Sequence, residues 1–213
     1  RFVDPCRAWI DSSVQIEPEV TVFPNAMLSG STVIGKGTIV GQGVILKNVK
    51  VGDSVNLKAG TIAEDSTIES GAQVGPYAHL RPGTIVSSDC RIGNFVELKN
   101  SKIGPNTSIA HLSYLGDAEV GSRVNIGCGF VTCNFDGRVI EGQRKHKTVI
   151  EDDVFVGSDC QTVAPVRVGK GAYIASGSTI TENVEPDSLA IARSRQISKP
   201  GYARKFRAAK ESS

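Results

Sequence analysis

An aliphatic residue returns at every sixth position through most of this chain. The run begins Ile10, Ile16, Val22, Leu28, Ile34, Val40 and Leu46, and after a step of five resumes at Val51 and Leu57. Another step of five leads to Ile62, Ile68, Val74, Leu80, Val86, Ile92 and Leu98, and two more lead to Ile103, Ile109 and Leu115, then Val120 and Ile126. Beyond a polar stretch the register returns with Ile150, Val156, Val168, Ile174 and Ile180, and Thr162 is its one weak position. A period of six is neither the 3.6 of a helix nor plain alternation.

Two residues before these sites stand small or β-branched side chains, among them Thr32, Val44, Ala72, Ala78, Thr84, Val96, Ser101, Thr107 and Ala118. Residues two apart on a strand share a face, so both sets point inward. Glycine often follows the aliphatic site, as at Gly35, Gly41, Gly93, Gly104 and Gly157. The repeated unit is therefore a short strand and a tight corner. Three units close a triangular coil of about 18 residues, which predicts an all-β parallel β-helix of hexapeptide repeats. The period does not give the hand, and ordinary parallel crossovers are right-handed.

Composition agrees. Aromatics make up only 6% of the 213 residues while there are 23 glycines, which argues against a layered domain with large rings at its centre. A net charge of +2 implies no nucleic-acid partner. The five cysteines, Cys6, Cys90, Cys128, Cys133 and Cys160, show no CxxC pairing and read as free thiols. No apolar run approaches the roughly 20 residues of a membrane span and nothing resembles a signal peptide, so a soluble, cytoplasmic protein is expected. The chain opens at Arg1 without an initiator methionine, which suggests a piece of a longer polypeptide.

The repeat breaks in two places. Residues 133–148, "CNFDGRVIEGQRKHKT", are polar, basic and free of hexads, and read as a loop thrown out from the helix. From about Glu185 the pattern fades into a basic tail, giving an expected β-helix domain over 1–184 and a tail over 185–213.

The register also sorts the polar residues. Arg81 follows Leu80 and Lys99 follows Leu98, so the two cations occupy one outward position on successive coils, about 4.8 Å apart. They are either solvated surface cations or a clamp for a shared anion such as a phosphate. His79, Glu97 and Tyr114 form the neighbouring outward column. His111 lies at the corner leading into that face, with Asn94 and Cys128 at the equivalent corners one coil away. A histidine there can reach a bound substrate as a general base. A zinc site needs three suitable ligands, and His79, His111 and His146 stand at unrelated coil positions, so no metal is expected. No nucleophile elbow or serine-histidine-aspartate order is visible.

The segments "LRPGT", "GNFVELKNSKIG", "AHLSYLGDAEVG", "VNIGCGFVTCNFDG", "KHKTVIEDDVFVGSDCQTVAPVRVG" and "LAIARS" together resemble the acetyltransferase domain of the bifunctional bacterial N-acetylglucosamine-1-phosphate uridylyltransferase/glucosamine-1-phosphate acetyltransferases. The likeness covers most of residues 1–205 and is densest from about Leu80 to Arg193. It implies a left-handed β-helix, a homotrimer whose active sites use neighbouring subunits, and acetyl transfer from acetyl-CoA to the amine of glucosamine 1-phosphate on the way to UDP-N-acetylglucosamine, peptidoglycan and lipopolysaccharide. By matching motif, His111 is the implied proton acceptor. Arg81, Lys99, Tyr114, Asn125 and Lys145 match sugar-phosphate contacts, and Cys128, Asn134, Phe135, Ser158, Ser176 and Arg193 match acetyl-CoA contacts.

The chain departs from the family at Cys128 and Ser176, where alanine is common, at Phe135, where tyrosine is, and in a longer loop before "KHKT". The glycine-rich nucleotide motif of the uridylyltransferase domain is absent, so that activity is not expected of these residues. Another CoA-dependent hexapeptide acyltransferase would not need the Arg81–Lys99 pair, and a non-catalytic β-helix serving as an assembly module would need no base. Asp117 takes no role in this reading.

Overall fold

The computed structural model describes residues 1–137, 139, 142 and 144–204. They form a left-handed parallel β-helix of about 10 turns. Each turn has three short strands, most of two or three residues, and every strand pairs in parallel with its counterpart one coil away. One face carries the outward column Trp9, Met27, Ile45, Ile62, His79, Glu97 and Tyr114. A second carries Gln15, Val33, Lys50, Thr67, Ile85, Lys102, Glu119, Val149 and Arg167. The third carries Thr21, Ile39, Asn56, Gln73, Arg91, Ser108, Asn125, Phe155 and Tyr173.

The six-residue aliphatic sites line the interior, and Leu28, Ile34, Leu46, Leu57, Ile68, Leu80, Ile92, Leu98, Ile103, Ile109 and Leu115 are buried completely or nearly so. One rung differs from the sequence reading. Ile62 faces outward beside Ile45 and His79, and the buried rung is Ala63, stacked between Leu46 and Leu80. The five-residue step therefore falls between Ala63 and Ile68, at the same corner as the steps Leu46–Val51, Leu98–Ile103 and Leu115–Val120. Counting by hydrophobicity alone chose the larger of two adjacent side chains.

The small inward companions are often hydroxyls because they bridge coils. Thr107 Oγ1 donates to the Gly121 carbonyl at 2.7 Å and accepts the Val124 N–H at 3.1 Å. A buried hydroxyl so paired satisfies backbone groups at a corner where the sheet ladder is interrupted. Thr162, the weak rung, is buried and shares a 3.2 Å hydrogen bond with Thr148.

Strands Arg91–Lys99 and Ser108–Gly116 are the longest described. They run unbroken round the corner between the third face and the first, pairing from Arg91↔Ser108 to Lys99↔Gly116. Backbone pairing therefore continues through the corner that bears Asn94 and His111. Past residue 184, Leu189–Ala190 still pairs with Tyr173–Ile174, and partly buried Ala190 packs against the end of the core. No helix of the described residues is long and apolar enough to cross a membrane.

Candidate functional site

Three columns of side chains meet on coils five to seven. The corner column runs Asn94, His111, Cys128, Ser158 and Ser176, fixed by the pairings Asn94↔His111, Ile109↔Ile126, Ile126↔Val156 and Val156↔Ile174. His111 is exposed, and its Nδ1 lies 2.7 Å from Asn94 Oδ1. Cys128, Ser158 and Ser176 are also exposed, and Arg193 Cδ approaches Gly177 beside Ser176.

The residue after each corner position takes a left-handed backbone. Tyr77, Phe95 and Leu112 have φ of 54°, 57° and 36°, a region that bulky side chains rarely enter. The twist turns all three outward, where each keeps more than half of its surface exposed. The Tyr77 and Phe95 rings stack at 5.8 Å. They form an apolar edge next to His111, able to exclude water once something covers it.

The second column is His79, Glu97 and Tyr114, and the third is Arg81, Lys99 and Gly116. Arg81 is anchored by an ion pair to Glu97 Oε1 at 2.8 Å. With both side chains 39% exposed, the pair serves orientation more than stability. Lys145 approaches from the loop and, together with partial burial, pulls the Lys99 ammonium below its ordinary pKa; Asp117 opposes that shift. At Gly116 the third column has no side chain. A Cβ there would run into the Tyr114 hydroxyl and lie 2.6 Å from Asn134 Nδ2, so glycine leaves the room these two groups occupy.

Asp117, left without a role by sequence reasoning, belongs to a ladder of left-handed corner residues: Gly30, Asn48, Asp65, Gly83, Asn100 and Asp117. Glycine, asparagine and aspartate are the types that tolerate this backbone. Asp117 accepts hydrogen bonds from Asn100 Nδ2 at 2.6 Å and Asn134 Nδ2 at 2.5 Å. It ties the start of the loop to the coil below. The far end of the loop is fixed by the His146 N–H donating to the Asn134 carbonyl at 2.9 Å and by the Lys147–Glu119 pair at 2.7 Å. Lys145 lies next to that anchor. A cavity of about 310 Å³ between Asn100, Lys102, Asp117, Glu119, Lys145 and Lys147 continues the basic surface round the second corner.

A single chain thus brings Arg81, Lys99, Tyr114 and Lys145 to one face, with Asn134 at its edge and His111 at the adjoining corner. Asn125 stands on the third face, between Ser108 and Phe155, and Phe135 projects outward with 59% of its surface exposed. Sequence reasoning gave no role to Asn94, Glu97 or Asp117. All three were legible from the register, Asn94 and Glu97 as coil neighbours of His111 and Tyr114, and Asp117 from the spacing of Gly, Asn and Asp along one corner. Among the described residues no cluster of histidine, cysteine, aspartate and glutamate is arranged to hold a metal.

The family described as bacterial transferase hexapeptide (six repeats) matches residues 65–100 and 147–182. The chain is 52% identical over 206 residues to the bifunctional protein GlmU of Thermodesulfovibrio yellowstonii, covering 97% of this chain and 44% of that protein. It is 50% identical over 201 residues to the GlmU of Geotalea daltonii, covering 94% of this chain and 43% of that protein. The chain therefore spans somewhat under half the length of the curated relatives it matches. Among solved structures, an Arabidopsis UDP-N-acetylglucosamine acyltransferase shares the fold with a TM-score of 0.75 at 16% identity, over 87% of this chain and 70% of that one. The corresponding enzyme from Francisella novicida superposes with a TM-score of 0.55 at 20% identity, over 87% of this chain and 65% of that one. With half of its residues shared along nearly its whole length, the chain belongs to the GlmU family of hexapeptide-repeat proteins.

Proposed function

We propose that this chain transfers the acetyl group of acetyl-CoA to the amine of glucosamine 1-phosphate, giving the N-acetylglucosamine 1-phosphate needed for UDP-N-acetylglucosamine and cell-wall synthesis. The observation that carries this reading is the convergence of Arg81, Lys99 and Lys145 on the face next to His111. Lys145 and Arg81 both push the Lys99 ammonium below its ordinary pKa, the mark of cations held close together, and a dianion among them turns that repulsion into attraction. A phosphate monoester suits the site, with the Arg81 fork and two point charges as its donors.

Tyr114 on the same face, with Asn125 supplied by a neighbouring copy of the chain, fixes the sugar so that its amine meets the thioester carbonyl. The new N–C bond forms as the proton on nitrogen passes to His111 Nε2. The C–S bond then breaks and that proton goes to the departing thiolate of CoA. A backbone N–H at Cys128, next along the corner, is the proposed donor to the tetrahedral oxyanion. Acetyl-CoA lies along Cys128, Ser158 and Ser176 towards Arg193, with Asn134 and Phe135 as further contacts. The catalytic unit is a homotrimer: Asn125 stands on the third face of its own chain, not on the Arg81–Lys99 face, as expected of a residue that completes a neighbour's site.

The deciding experiment is a CoA-release assay with glucosamine 1-phosphate, glucosamine and glucosamine 6-phosphate. Release with the first alone is expected. Equal release with glucosamine would remove the phosphate clamp, and no release with any amine would point to an assembly module.

The thiols offer a second test. Burial pushes the Cys90 thiol up to about 11, which makes it inert, and Cys160 is buried as well, whereas Cys128 is exposed on the corner column. A maleimide is expected to inactivate the protein, acetyl-CoA to protect it, and the residual activity of Cys128→Ala to be insensitive to the reagent. Cys6, also exposed, lies near the chain start, and its alkylation is expected to leave activity alone. Inactivation that proceeds equally with and without acetyl-CoA would take Cys128 out of the cofactor site.

A further inference from the structure

The hydrogen bond at the corner carries an inference about how His111 is prepared. Asn94 and His111 occupy the same position on adjacent coils, and their strands are paired on both sides of that position. Asn94 Oδ1 sits 2.7 Å from His111 Nδ1. A carbonyl oxygen only accepts, so Nδ1 carries the proton and donates it. In a neutral imidazole one nitrogen holds the proton and the other the lone pair. The Asn94 contact therefore places the lone pair on Nε2.

We propose that Asn94 is the positioning residue for His111, fixing both its tautomer and the direction of its ring so that Nε2 is the nitrogen that accepts the substrate proton. This rests on the reading of His111 as the base, but the tautomer is a property of the protein alone. The amide suits the task because it accepts a hydrogen bond without bringing a charge. A carboxylate would do the same with a negative charge that favours the imidazolium, a form that cannot take a proton. The side chain at the equivalent corner position on the other side of His111 is the Cys128 thiol, so of the two flanking corner side chains Asn94 is the one that offers an oxygen acceptor. Asn94 itself is only partly exposed, at a point where backbone pairing is continuous, which restricts its movement more than a loop residue's.

The test separates this proposal from the assignment of the base. Heteronuclear NMR of the nitrogen-labelled protein at alkaline pH distinguishes protonated from unprotonated ring nitrogens for the three histidines, and His111→Gln identifies the His111 signals. The Nδ1–H form is expected to dominate in the wild type and in Asn94→Asp, and Asn94→Ala is expected to give a mixture. In the CoA-release assay Asn94→Ala is expected to lose about 10-fold in kcat with KM for the sugar phosphate little changed, and Asn94→Asp to recover most of that loss at alkaline pH. A wild-type spectrum dominated by Nε2–H, or an Asn94→Ala spectrum identical to the wild type, would overturn the proposal whatever the activity. If the spectra behave as expected and His111→Gln keeps full turnover, the positioning stands and the base is the reading that fails.

Discussion

Replacing His111 with alanine is expected to lower kcat by at least about 100-fold while KM for glucosamine 1-phosphate stays within about threefold of the wild type. The separation of the two effects follows from the geometry. His111 is on the corner, hydrogen-bonded to Asn94, whereas the cations proposed to hold the phosphate stand on the adjoining face, where Arg81 is oriented by Glu97. Ground-state binding is therefore expected to survive the loss of the ring. The fold is expected to survive as well, because the His111 side chain is exposed and the inward Ser113 hydroxyl bonds the His111 backbone carbonyl, which alanine keeps. Turnover is measured by CoA release at saturating acetyl-CoA, and the far-ultraviolet spectrum checks the fold. Unchanged kcat would remove His111 from the chemistry and leave the corner as scaffold. A rise in KM with kcat retained would make it a binding group instead.

Most of the architecture was legible because a β-helix repeats its geometry at every coil. Once Leu80 and Leu98 are aligned, the pairs His79–Glu97 and Arg81–Lys99 follow without coordinates, and the observed register agrees. The reading failed at Ile62, where two adjacent residues could each serve as the rung and only the closing of the coil decides for Ala63. The site was legible as columns but not as contacts. That Asn94 meets His111, that Glu97 rather than a ligand orients Arg81, and that Asp117 holds Asn134 all depend on rotamers, which a period cannot specify. The approach of Lys145 to Lys99 was least accessible, because its loop has no hexads to set its position.

Gly93→Ala is expected to be the most damaging small substitution in the site region, costing about 3 kcal/mol of stability and lowering the melting temperature by about 6–12 °C. Gly93 is buried between Ile92 and Asn94, which pair with Ile109 and His111, so its neighbour on the next coil is Ala110. A Cβ at Gly93 would collide with the Ala110 carbonyl oxygen and come within 2.9 Å of the Ala110 Cα. Those are backbone atoms in a continuous ladder and cannot rotate away as a side chain can. The two coils must part instead, and Ala110 immediately precedes His111. A loss of turnover beyond the loss of folded protein is therefore expected, about 10-fold in kcat per folded site, because a shift of the base by a fraction of an ångström spoils its alignment. Gly43→Ala is the comparison. Nothing lies within 4 Å of a Cβ there, and the penalty is the left-handed backbone alone, at φ of 65°, roughly 1 kcal/mol. Denaturant unfolding and thermal melts of both variants read the difference. A Gly93→Ala melting temperature within about 2 °C of the wild type, or no lower than that of Gly43→Ala, would show that the coils separate at this corner without cost. The rigidity assigned to the Asn94–His111 pair would fall with it.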